Sequence, residues 1–376
     1  MDAEKRFELI TRNTAEVLTP EDLKNLLQTN TSLKHYIGFE ISGKIHLGTG
    51  LVCMSKVMDF MNAKVKCNIF LADWHSWIND KFGGDIEIIK KVAVGYFKEG
   101  LKTSLDCLGG DSENVRFVLG SELYHNNDEY WSTLIDVSKH ATLARVMRSI
   151  TIMGRKEGES VDFAKLIYPP MQVADIFIQD VNLTHAGLDQ RKAHVIAREV
   201  GQKIKKKLKD ANGKVISPIA VHHPLLLGLG KPPVWPVPKD KLQDVWASMK
   251  MSKSIPNSAV FIHDSEDEIR SKINGAFCLA KDINFNPILD WCKRIIFMEV
   301  RTEFKVERDK KFGGDVSYYN YNELENDFSE GNLHPQDLKI ATAEYLVKKL
   351  APIRKHFDTP RVKKMLEEME RYSVTR

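Results

Sequence analysis

Residues 36–48, Tyr-Ile-Gly-Phe-Glu-Ile-Ser-Gly-Lys-Ile-His-Leu-Gly, decide the fold of this chain. The apolar and aromatic pattern at residues 35–40 predicts a buried strand, and the glycine-bearing turn at residues 42–45 ends it. An amphipathic helix is expected to begin near His46. A strand, a turn and a helix in this order form the repeating unit of a sheet that is covered by helices.

The same unit recurs along the chain. Mostly apolar runs at residues 65–72, 115–119 and 181–184 predict further short strands, with helices at residues 85–108 and from about Leu188 onward. Short buried strands that alternate with helices are typical of parallel sheets. The sequence therefore predicts an α/β fold with a doubly wound, Rossmann-like parallel sheet.

Beyond these strands the character of the sequence changes twice. Prolines at 224, 232, 233, 236 and 238 forbid a continuous helix between residues 219 and 250 and predict a long ordered loop. Helix-start patterns at residues 264–268, 286–287, 334–335 and 359–360 predict a mainly helical last third. We therefore expect a sheet domain at residues 1–258 and a smaller helical domain at residues 259–376.

Composition and charge exclude several classes of protein. The 376 residues include 55 basic and 51 acidic ones, and a net charge of +4 is too small for a dedicated nucleic-acid coat. The lysine cluster at residues 203–209 is interpreted as a solvated helix end. Five scattered cysteines indicate a reducing compartment, and the chain has neither a signal-peptide pattern nor a membrane-spanning apolar run. A cytoplasmic protein without membrane contact is expected.

The first motif with chemistry to offer is Gly-Lys-Ile-His-Leu-Gly-Thr-Gly at residues 43–50. It lies between a strand and a helix start, where backbone N–H groups and the helix dipole favour an anion. Gly48 would let a nucleotide approach the backbone, and the His46 imidazole can hydrogen-bond phosphate oxygens as charge builds on them. Alone, this His-x-Gly pattern is explained equally well by a structural turn.

The second motif is Lys-Met-Ser-Lys-Ser at residues 250–254, directly after the proline-rich stretch. The ammonium groups of Lys250 and Lys253, with the Ser252 hydroxyl between them, suit a mobile loop that closes over a triphosphate. A single lysine–serine cluster is usually a polar loop. Together with His46 upstream, it favours a nucleotide site.

A third group of residues indicates a second substrate. In Tyr-Pro-Pro-Met-Gln-Val-Ala-Asp at residues 168–175, the prolines fit the first turn of a helix. Gln172 and Asp175 then share one face, with Tyr168 just before the helix. Asp175 is either a surface acid or, among its apolar neighbours, a buried carboxylate that needs a partner. Tyr36 is either a core aromatic or, opposite Asp175, a group that hydrogen-bonds a phenol.

The two phosphate motifs resemble the signatures of the class I aminoacyl-tRNA synthetases, His-Ile-Gly-His and Lys-Met-Ser-Lys-Ser. The second signature matches at all five positions. In the first, Leu47 replaces an isoleucine without consequence, whereas Thr49 replaces the second histidine. Because threonine cannot carry a positive charge, His46 is expected to be the stronger phosphate contact.

Residues 36–48, 168–175 and 187–192 further resemble the archaeal and eukaryotic type of tyrosyl-tRNA synthetase, over nearly the whole chain. The resemblance implies activation of L-tyrosine by ATP and its transfer to tRNA(Tyr). It implies that Tyr36 and Asp175 bind the tyrosine phenol. The other contacts to tyrosine that it implies are made by Glu40, His75, Tyr168, Gln172 and Gln190. Those to ATP are made by His46, Gly48, Thr49, Asp189, Lys250, Ser252 and Lys253.

The expected reaction has no covalent nucleophile. The tyrosine carboxylate attacks the α-phosphorus of ATP, while Mg²⁺, His46, Lys250 and Lys253 stabilise charge on the phosphates. No prosthetic group and no protein metal site are expected.

The resemblance also implies partners. A homodimer would form through a helical insertion at about residues 127–163, and the helical domain would bind the anticodon. Phe312 would stack on a base and Asp337 would accept base-edge hydrogen bonds. The alternatives are core packing for Phe312 and a helix-terminal acid for Asp337.

Three other functions remain open from the residues alone. A tryptophanyl-tRNA synthetase would share the architecture, although Asp175 facing Tyr36 favours a phenol. A catalytically silent RNA-binding paralogue would not need the loop at residues 250–254. A small-molecule nucleotidylyltransferase would leave the helical domain unexplained.

Overall fold

The protein is described by a computed structural model that covers residues 1–251, 255–299 and 302–373. The predicted site residues Ser252 and Lys253 lie outside the described residues. By their internal contacts the residues form two compact units. The first comprises Met1–Gly43, Cys53–Pro224 and the residues from Lys364 onward, and the second comprises Lys44–Val52 and Leu225–Lys363.

The strands, in chain order, are β1 (Glu16–Leu18), β2 (Lys34–Phe39), β3 (Lys66–Leu71), β4 (Arg116–Leu119), β5 (Leu183–Gly187), β6 (Leu208–Lys209), β7 (Val215–Ile216), β8 (Ile219–His223), β9 (Phe304–Val306) and β10 (Val316–Tyr318). The α-helices are α1 (Ala3–Thr11), α2 (Pro20–Gln28), α3 (Met54–Asn62), α4 (Asp73–Ile78), α5 (Ile86–Val92), α6 (Lys98–Cys107), α7 (Gly120–Tyr124), α8 (Asp128–His140), α9 (Leu143–Ser149), α10 (Phe163–Ile178), α11 (Arg191–Gly201), α12 (Leu242–Met249), α13 (Glu266–Asn274), α14 (Pro287–Trp291), α15 (Tyr321–Glu330), α16 (Pro335–Phe357) and α17 (Pro360–Ser373). Wider π-helical turns occupy Gly48–Cys53, Ala93–Phe97 and Cys292–Ile296.

The first unit is built on a six-stranded sheet with the order β1-β8-β5-β2-β3-β4. Its strands pair in parallel except for β1, which runs antiparallel to β8 at the edge. Every residue of β5 and β8 is buried, as expected for strands with both faces covered. The predicted parallel α/β sheet is therefore confirmed, with an antiparallel edge strand that the sequence pattern did not indicate.

The stretch at residues 219–250, predicted to be loop, contains regular structure at both ends. Strand β8 occupies Ile219–His223, directly before Pro224, and α12 begins at Leu242, after the last proline of the stretch. The prolines interrupt only the residues between them. Because β8 pairs with β5 inside the sheet, the long-range ladder gives these five residues a structure that local composition did not reveal.

Helix α10 begins earlier than its prolines suggested. Asp162 caps its first turn by accepting a hydrogen bond from the Lys165 N–H at 3.2 Å, so Pro169 and Pro170 lie inside the helix. The prediction that Tyr168 precedes the helix is therefore wrong. The helix continues through the prolines because the residues around them are buried in the core, which offsets the missing backbone donors.

Helix α2 begins without a side-chain cap. Thr19 stands at the N-cap position, but its side chain makes no cap hydrogen bond to the helix. Its hydroxyl instead donates to the Leu18 carbonyl at 2.7 Å. A proline and two acids occupy the first turn.

The second unit consists of α12–α16 and a β9–β10 hairpin, which the prediction of a mainly helical last third did not include. Residues of the phosphate motif join this unit through backbone pairing. The Leu47 N–H donates to the Val260 carbonyl and the Ile262 N–H donates to the Ile45 carbonyl, both at 3.0 Å. None of the described helices combines the length and apolar character needed to cross a membrane.

Candidate active site

A buried phenol and a buried carboxylate lie together in the first unit. Tyr36 on β2 is 2% exposed and Asp175 on α10 is fully buried. Burial, and then the negative charge of Asp175, raises the pKa of Tyr36. Tyr36 therefore keeps its proton and offers a hydroxyl donor within the electrostatic reach of Asp175.

The two oxygens of Asp175 have different surroundings. Oδ1 accepts a hydrogen bond from the Tyr124 hydroxyl at 3.1 Å. Among the described residues no donor hydrogen-bonds Oδ2, which lies 3.7 Å from Nε2 of His75. Burial raises the pKa of Asp175, and the hydroxyls of Tyr124 and Tyr130 oppose this shift. One carboxylate oxygen is thus held while the other is available to a ligand.

His75 on α4 faces the same carboxylate. Burial lowers its pKa to about 3, so the ring is neutral at physiological pH. Its edge meets the Tyr168 ring with centroids 4.5 Å apart, and neither ring nitrogen has a hydrogen-bond partner among the described residues. Buried polar atoms without partners are rare in folded proteins and mark a place where a ligand or water completes the bonding.

Glu40, which follows β2, collects donors from two directions. Its Oε1 accepts from the Tyr168 hydroxyl at 2.8 Å and from Nδ2 of Asn79 at 2.9 Å. Nζ of Lys81 lies 3.4 Å from Oε2. Glu40 and Tyr168, each predicted to contact the substrate, are therefore in direct contact with each other, and the Tyr168 ring also meets His75.

Gln172 and Gln190 form a third contact. Nε2 of Gln172 donates to Oε1 of Gln190 at 3.5 Å, and Nε2 of Gln190 donates to the Ile152 carbonyl at 2.8 Å. Oε1 of Gln172 is buried and has no partner among the described residues. It can accept a hydrogen bond from a bound cation or amine.

The first phosphate motif lies in the second unit. Nδ1 of His46 accepts the Thr49 N–H at 3.4 Å, which places the proton of the neutral ring on Nε2. A Cβ added to Gly48 would lie 3.0 Å from the His46 ring. Gly48 therefore makes room for His46, a reason that differs from the predicted approach of a nucleotide, and Thr49 contacts the histidine through its backbone.

Lys250 directly follows α12 and is partly buried. It is paired in an antiparallel bridge with Leu227. The Met251 N–H, next in the chain, donates to the Leu226 carbonyl at 2.7 Å. The position of the second phosphate motif is thus set by backbone bonds as far as residue 251.

Asp189 lies in the first unit, on the turn Leu188–Gln190 that follows β5, and is exposed. Burial raises the pKa of Cys53 and lowers that of His223, and the negative charge of Asp189 adds to the first shift and opposes the second. The acid therefore lies close to the carboxyl ends of β5 and β8, the edge at which open α/β sheets bind ligands.

The two residues predicted to bind RNA lie in the second unit. Phe312 is 64% exposed, which excludes the core-packing alternative, and Nζ of Lys311 lies 4.8 Å from its ring centroid. Asp337 occupies the first turn of α16.

Three further residues beside Tyr36 and Asp175 were not predicted from the sequence: Tyr124, Tyr130 and Gly38. The two tyrosines approach Asp175 from elements that follow β4, about fifty residues away in sequence. A Cβ on Gly38 would lie 2.8 Å from the Tyr36 hydroxyl, so this glycine leaves room for the phenol. The signal for Gly38 was its spacing of two from Tyr36, which puts both on one face of the strand.

Comparison with known proteins defines the class of protein. The sequence profile of the tRNA synthetases class I (W and Y) matches residues 28–351. The crystal structure of tyrosyl-tRNA synthetase complexed with L-tyrosine from Pyrococcus horikoshii superposes with a TM-score of 0.95 at 56% identity, covering 99% of this chain and 100% of that one. The chain belongs to the class I tRNA synthetases of the tryptophan and tyrosine group.

Individual relatives narrow the assignment. The tyrosine–tRNA ligases of Thermococcus sibiricus and Pyrococcus abyssi are 58% and 57% identical over the full length of both chains. A tryptophanyl-tRNA synthetase from Aeropyrum pernix, 16% identical with a TM-score of 0.63 over 93% of this chain and 84% of that one, shares the fold alone. Within the class, the chain is an archaeal-type tyrosyl-tRNA synthetase, as its motifs predicted.

Proposed function

We propose that this tyrosine–tRNA ligase recognises its amino acid through Tyr36 and Asp175, with His75 beside them. The observation that carries the proposal is the buried Asp175 carboxylate, whose Oδ2 has no hydrogen-bond partner among the described residues. A tyrosine phenol would donate to this oxygen and accept from the Tyr36 hydroxyl. Phenylalanine would leave both groups buried and unpaired, which costs free energy.

The amino end of tyrosine would be held by Glu40, Gln172 and Gln190. Glu40 supplies negative charge, and its bond from Tyr168 holds one oxygen in place. The unpartnered Oε1 of Gln172 supplies a second acceptor for the ammonium group. Charge-assisted hydrogen bonds of this kind orient a substrate before reaction.

ATP would bind at the two phosphate motifs and at Asp189, which would contact the ribose or adenylate. The tyrosine carboxylate attacks the α-phosphorus and pyrophosphate leaves, while Nε2–H of His46 donates a hydrogen bond to the phosphates and the Lys250 ammonium offsets their charge. Ser252 and Lys253 are proposed to complete this lid. Mg²⁺ is proposed to arrive with ATP as part of the substrate.

Transfer to tRNA(Tyr) follows, when the terminal adenosine hydroxyl displaces AMP. We assign anticodon contacts to Phe312, for base stacking, and to Asp337, for base-edge hydrogen bonds. The exposure of Phe312 and the lysine beside it support this assignment. We therefore propose that residues 1–258 carry out catalysis and that residues 259–376 bind the anticodon.

We further propose that the protein works as a cytoplasmic homodimer joined through the helices at residues 127–163. The support for a dimer is the row of exposed apolar side chains on α8 and α9. The support for the compartment is the set of five cysteines, none of which forms a disulfide.

The test is tyrosine-dependent exchange of pyrophosphate into ATP. Asp175→Asn keeps the shape of the side chain but removes its charge, and should lower kcat/KM for tyrosine about 100-fold, as expected for the loss of a hydrogen bond to a charged group. His46→Ala and Lys250→Ala should lower kcat instead. Asp327→Asn is the matched control, because Asp327 also accepts a tyrosine hydroxyl, that of Tyr318 at 2.9 Å, but lies outside the proposed site. Unchanged tyrosine kinetics in Asp175→Asn would refute the phenol assignment.

A further inference from the structure

The side of Asp175 that is not offered to a ligand is held by aromatic residues. The Tyr124 hydroxyl donates to Oδ1 at 3.1 Å. The Tyr130 ring packs on the Tyr124 ring with centroids 4.3 Å apart. All three side chains are buried. The Asp175 carboxyl group is therefore held through Oδ1, on the side away from the proposed substrate.

Tyr124 is itself held in place at the end of α7, which follows β4 directly. Oδ1 of Asp73 accepts the Ser121 N–H at 2.9 Å and so ties the start of α7 to the start of α4. A Cβ on Gly120 would lie 2.6 Å from this Asp73 oxygen, so the close approach requires glycine.

The far end of α7 is fixed as well. Nε1 of Trp131 donates to the Tyr124 carbonyl at 3.2 Å. The Trp74 ring meets the Tyr124 ring edge to face, with centroids 5.3 Å apart. The Tyr124 hydroxyl therefore reaches Asp175 from a rigid turn.

We propose that Tyr124 is a positioning residue for amino-acid selection: its hydroxyl engages Oδ1 of Asp175 and thereby turns Oδ2 toward the substrate phenol. The proposal rests on the phenol-binding role given to Asp175 above. The terminal torsion of an aspartate is broad, so a carboxylate without this bond samples many orientations. Tyr124 removes that freedom before tyrosine binds, and preorganisation of this kind strengthens binding without touching the substrate.

The consequence for kinetics is specific. Phenylalanine has no hydroxyl for Oδ2 to bind, so the orientation of Asp175 affects tyrosine alone. The transfer of the adenylyl group takes place at the other end of the amino acid. Loss of the Tyr124 hydroxyl therefore raises the KM for tyrosine, whereas kcat and the KM for ATP stay nearly unchanged.

The experiment is pyrophosphate exchange with Tyr124→Phe. We expect KM for tyrosine to rise about ten-fold, the effect of one hydrogen bond to a charged group, with kcat and the KM for ATP within about two-fold of wild type. The preference for tyrosine over phenylalanine, measured as a ratio of kcat/KM values, falls by the same factor. Tyr318→Phe removes a chemically identical bond, from tyrosine to Asp327, and should leave all three constants unchanged.

Tyr130→Phe is a second, milder variant that keeps the Tyr124 bond. It should raise KM for tyrosine in the same direction by about three-fold, as a more distant hydroxyl is lost. Folded Tyr124→Phe protein with a wild-type KM for tyrosine would overturn the proposal. A fall of about ten-fold in kcat, or a rise of about ten-fold in the KM for ATP, alongside the rise in the KM for tyrosine would also overturn it. Such a pattern indicates general damage to the enzyme.

Asp175→Asn separates this inference from the function beneath it. If Asp175→Asn lowers kcat/KM for tyrosine as expected while Tyr124→Phe behaves as wild type, the positioning role alone is wrong. If Asp175→Asn keeps wild-type tyrosine kinetics, the phenol assignment fails and the positioning role fails with it.

Discussion

Several buried polar atoms of the proposed tyrosine site lack a hydrogen-bond partner among the described residues. They are Oδ2 of Asp175, Oε1 of Gln172 and both ring nitrogens of His75. A buried polar group without a hydrogen bond costs about 1–3 kcal/mol of stability. Such a cost is offset where a substrate supplies the missing hydrogen bonds, as proposed here for tyrosine.

Gly38 offers a test of the pocket at a position that carries no functional group. A Cβ there would lie 2.8 Å from the Tyr36 hydroxyl, so Gly38→Ala must displace the phenol. Because Gly38 lies in extended β2 and the clash is with the end of a side chain, we expect the protein to fold. KM for tyrosine should rise about ten-fold, the worth of one misplaced hydrogen bond, in the exchange assay.

Gly275→Ala is the control for this substitution. A Cβ at Gly275 would meet its nearest atom at 3.5 Å, an ordinary contact, at the end of α13. It should leave the tyrosine KM unchanged. A Gly38→Ala enzyme with normal tyrosine kinetics would mean that the position of Tyr36 does not matter for binding.

Three neighbouring strands are linked by a chain of buried histidines. Nε2 of His35 on β2 lies 3.1 Å from Nδ1 of His185 on β5, whose Nε2 lies 2.8 Å from Nδ1 of His223 on β8. The Cys53 thiol completes the chain, 3.2 Å from Nε2 of His223. Each neutral imidazole has one donor and one acceptor, so the rings can satisfy each other across the sheet.

Burial of these histidines makes the stability of the folded protein depend on pH. It lowers the pKa of His35 to about 3 and that of His223 to about 4, from 6.5. As pH falls below 6.5, the unfolded chain binds protons that the folded sheet refuses, so stability decreases down to the folded pKa values. Each such histidine adds up to about 1.4 kcal/mol per pH unit to this loss.

His35→Gln should therefore be less stable than wild type at pH 7.5 but lose less stability between pH 6.5 and 4.5. Urea unfolding midpoints over this range measure the slope. Thr184→Val, on the adjacent β5, breaks a hydrogen bond to the Ile219 carbonyl without removing a histidine and should keep the wild-type slope. Equal slopes for His35→Gln and wild type would show that His35 titrates alike in both states.

At the scale of the whole molecule, the proposed homodimer rests on exposed apolar side chains of α8 and α9. Tyr130, Thr133, Leu134 and Val137 face the core, whereas Ile135 and Leu143 are 62% and 67% exposed. Trp131 is partly exposed beside them. Exposed large apolar side chains are frequent at interfaces, and these residues are the basis of the proposed contact with a second copy of the chain.

Ile135→Glu should convert the dimer to a monomer, because the partner face offers an introduced carboxylate no compensation for lost water. Sedimentation velocity at micromolar concentration measures the state. Ile340→Glu is the matched control, since Ile340 is 52% exposed on α16. A wild-type protein that sediments as a monomer, or an Ile135→Glu variant that remains a dimer, contradicts the assignment.

Much of the fold, and the burial of residues in the proposed amino-acid site, could be predicted from local sequence pattern. The strands β2 to β5 were found from short apolar runs, because a residue buried on both faces of a sheet leaves a signal in its own neighbourhood. The depth of Asp175 followed from its apolar neighbours for the same reason. The family followed from motifs in which several residues must act together.

The remaining features depend on contacts between distant residues. Strand β8 exists because β5 pairs with it, and the β9–β10 hairpin was hidden among helical patterns. The chain pattern of β1 did not indicate an edge strand, because pairing to β8 defines it. No local rule specifies these partners.

By itself, then, the order of residues determined which segments are buried and which family the chain belongs to, and it led to the proposal that two motifs bind phosphate. Only the tertiary structure decided which side chain contacts Oδ1 of Asp175, because Tyr124 lies 51 residues away in sequence and reaches it from helix α7, which follows β4. Periodicity reports whether a side chain turns inward. Which side chain it meets there is decided by the packing of the whole unit.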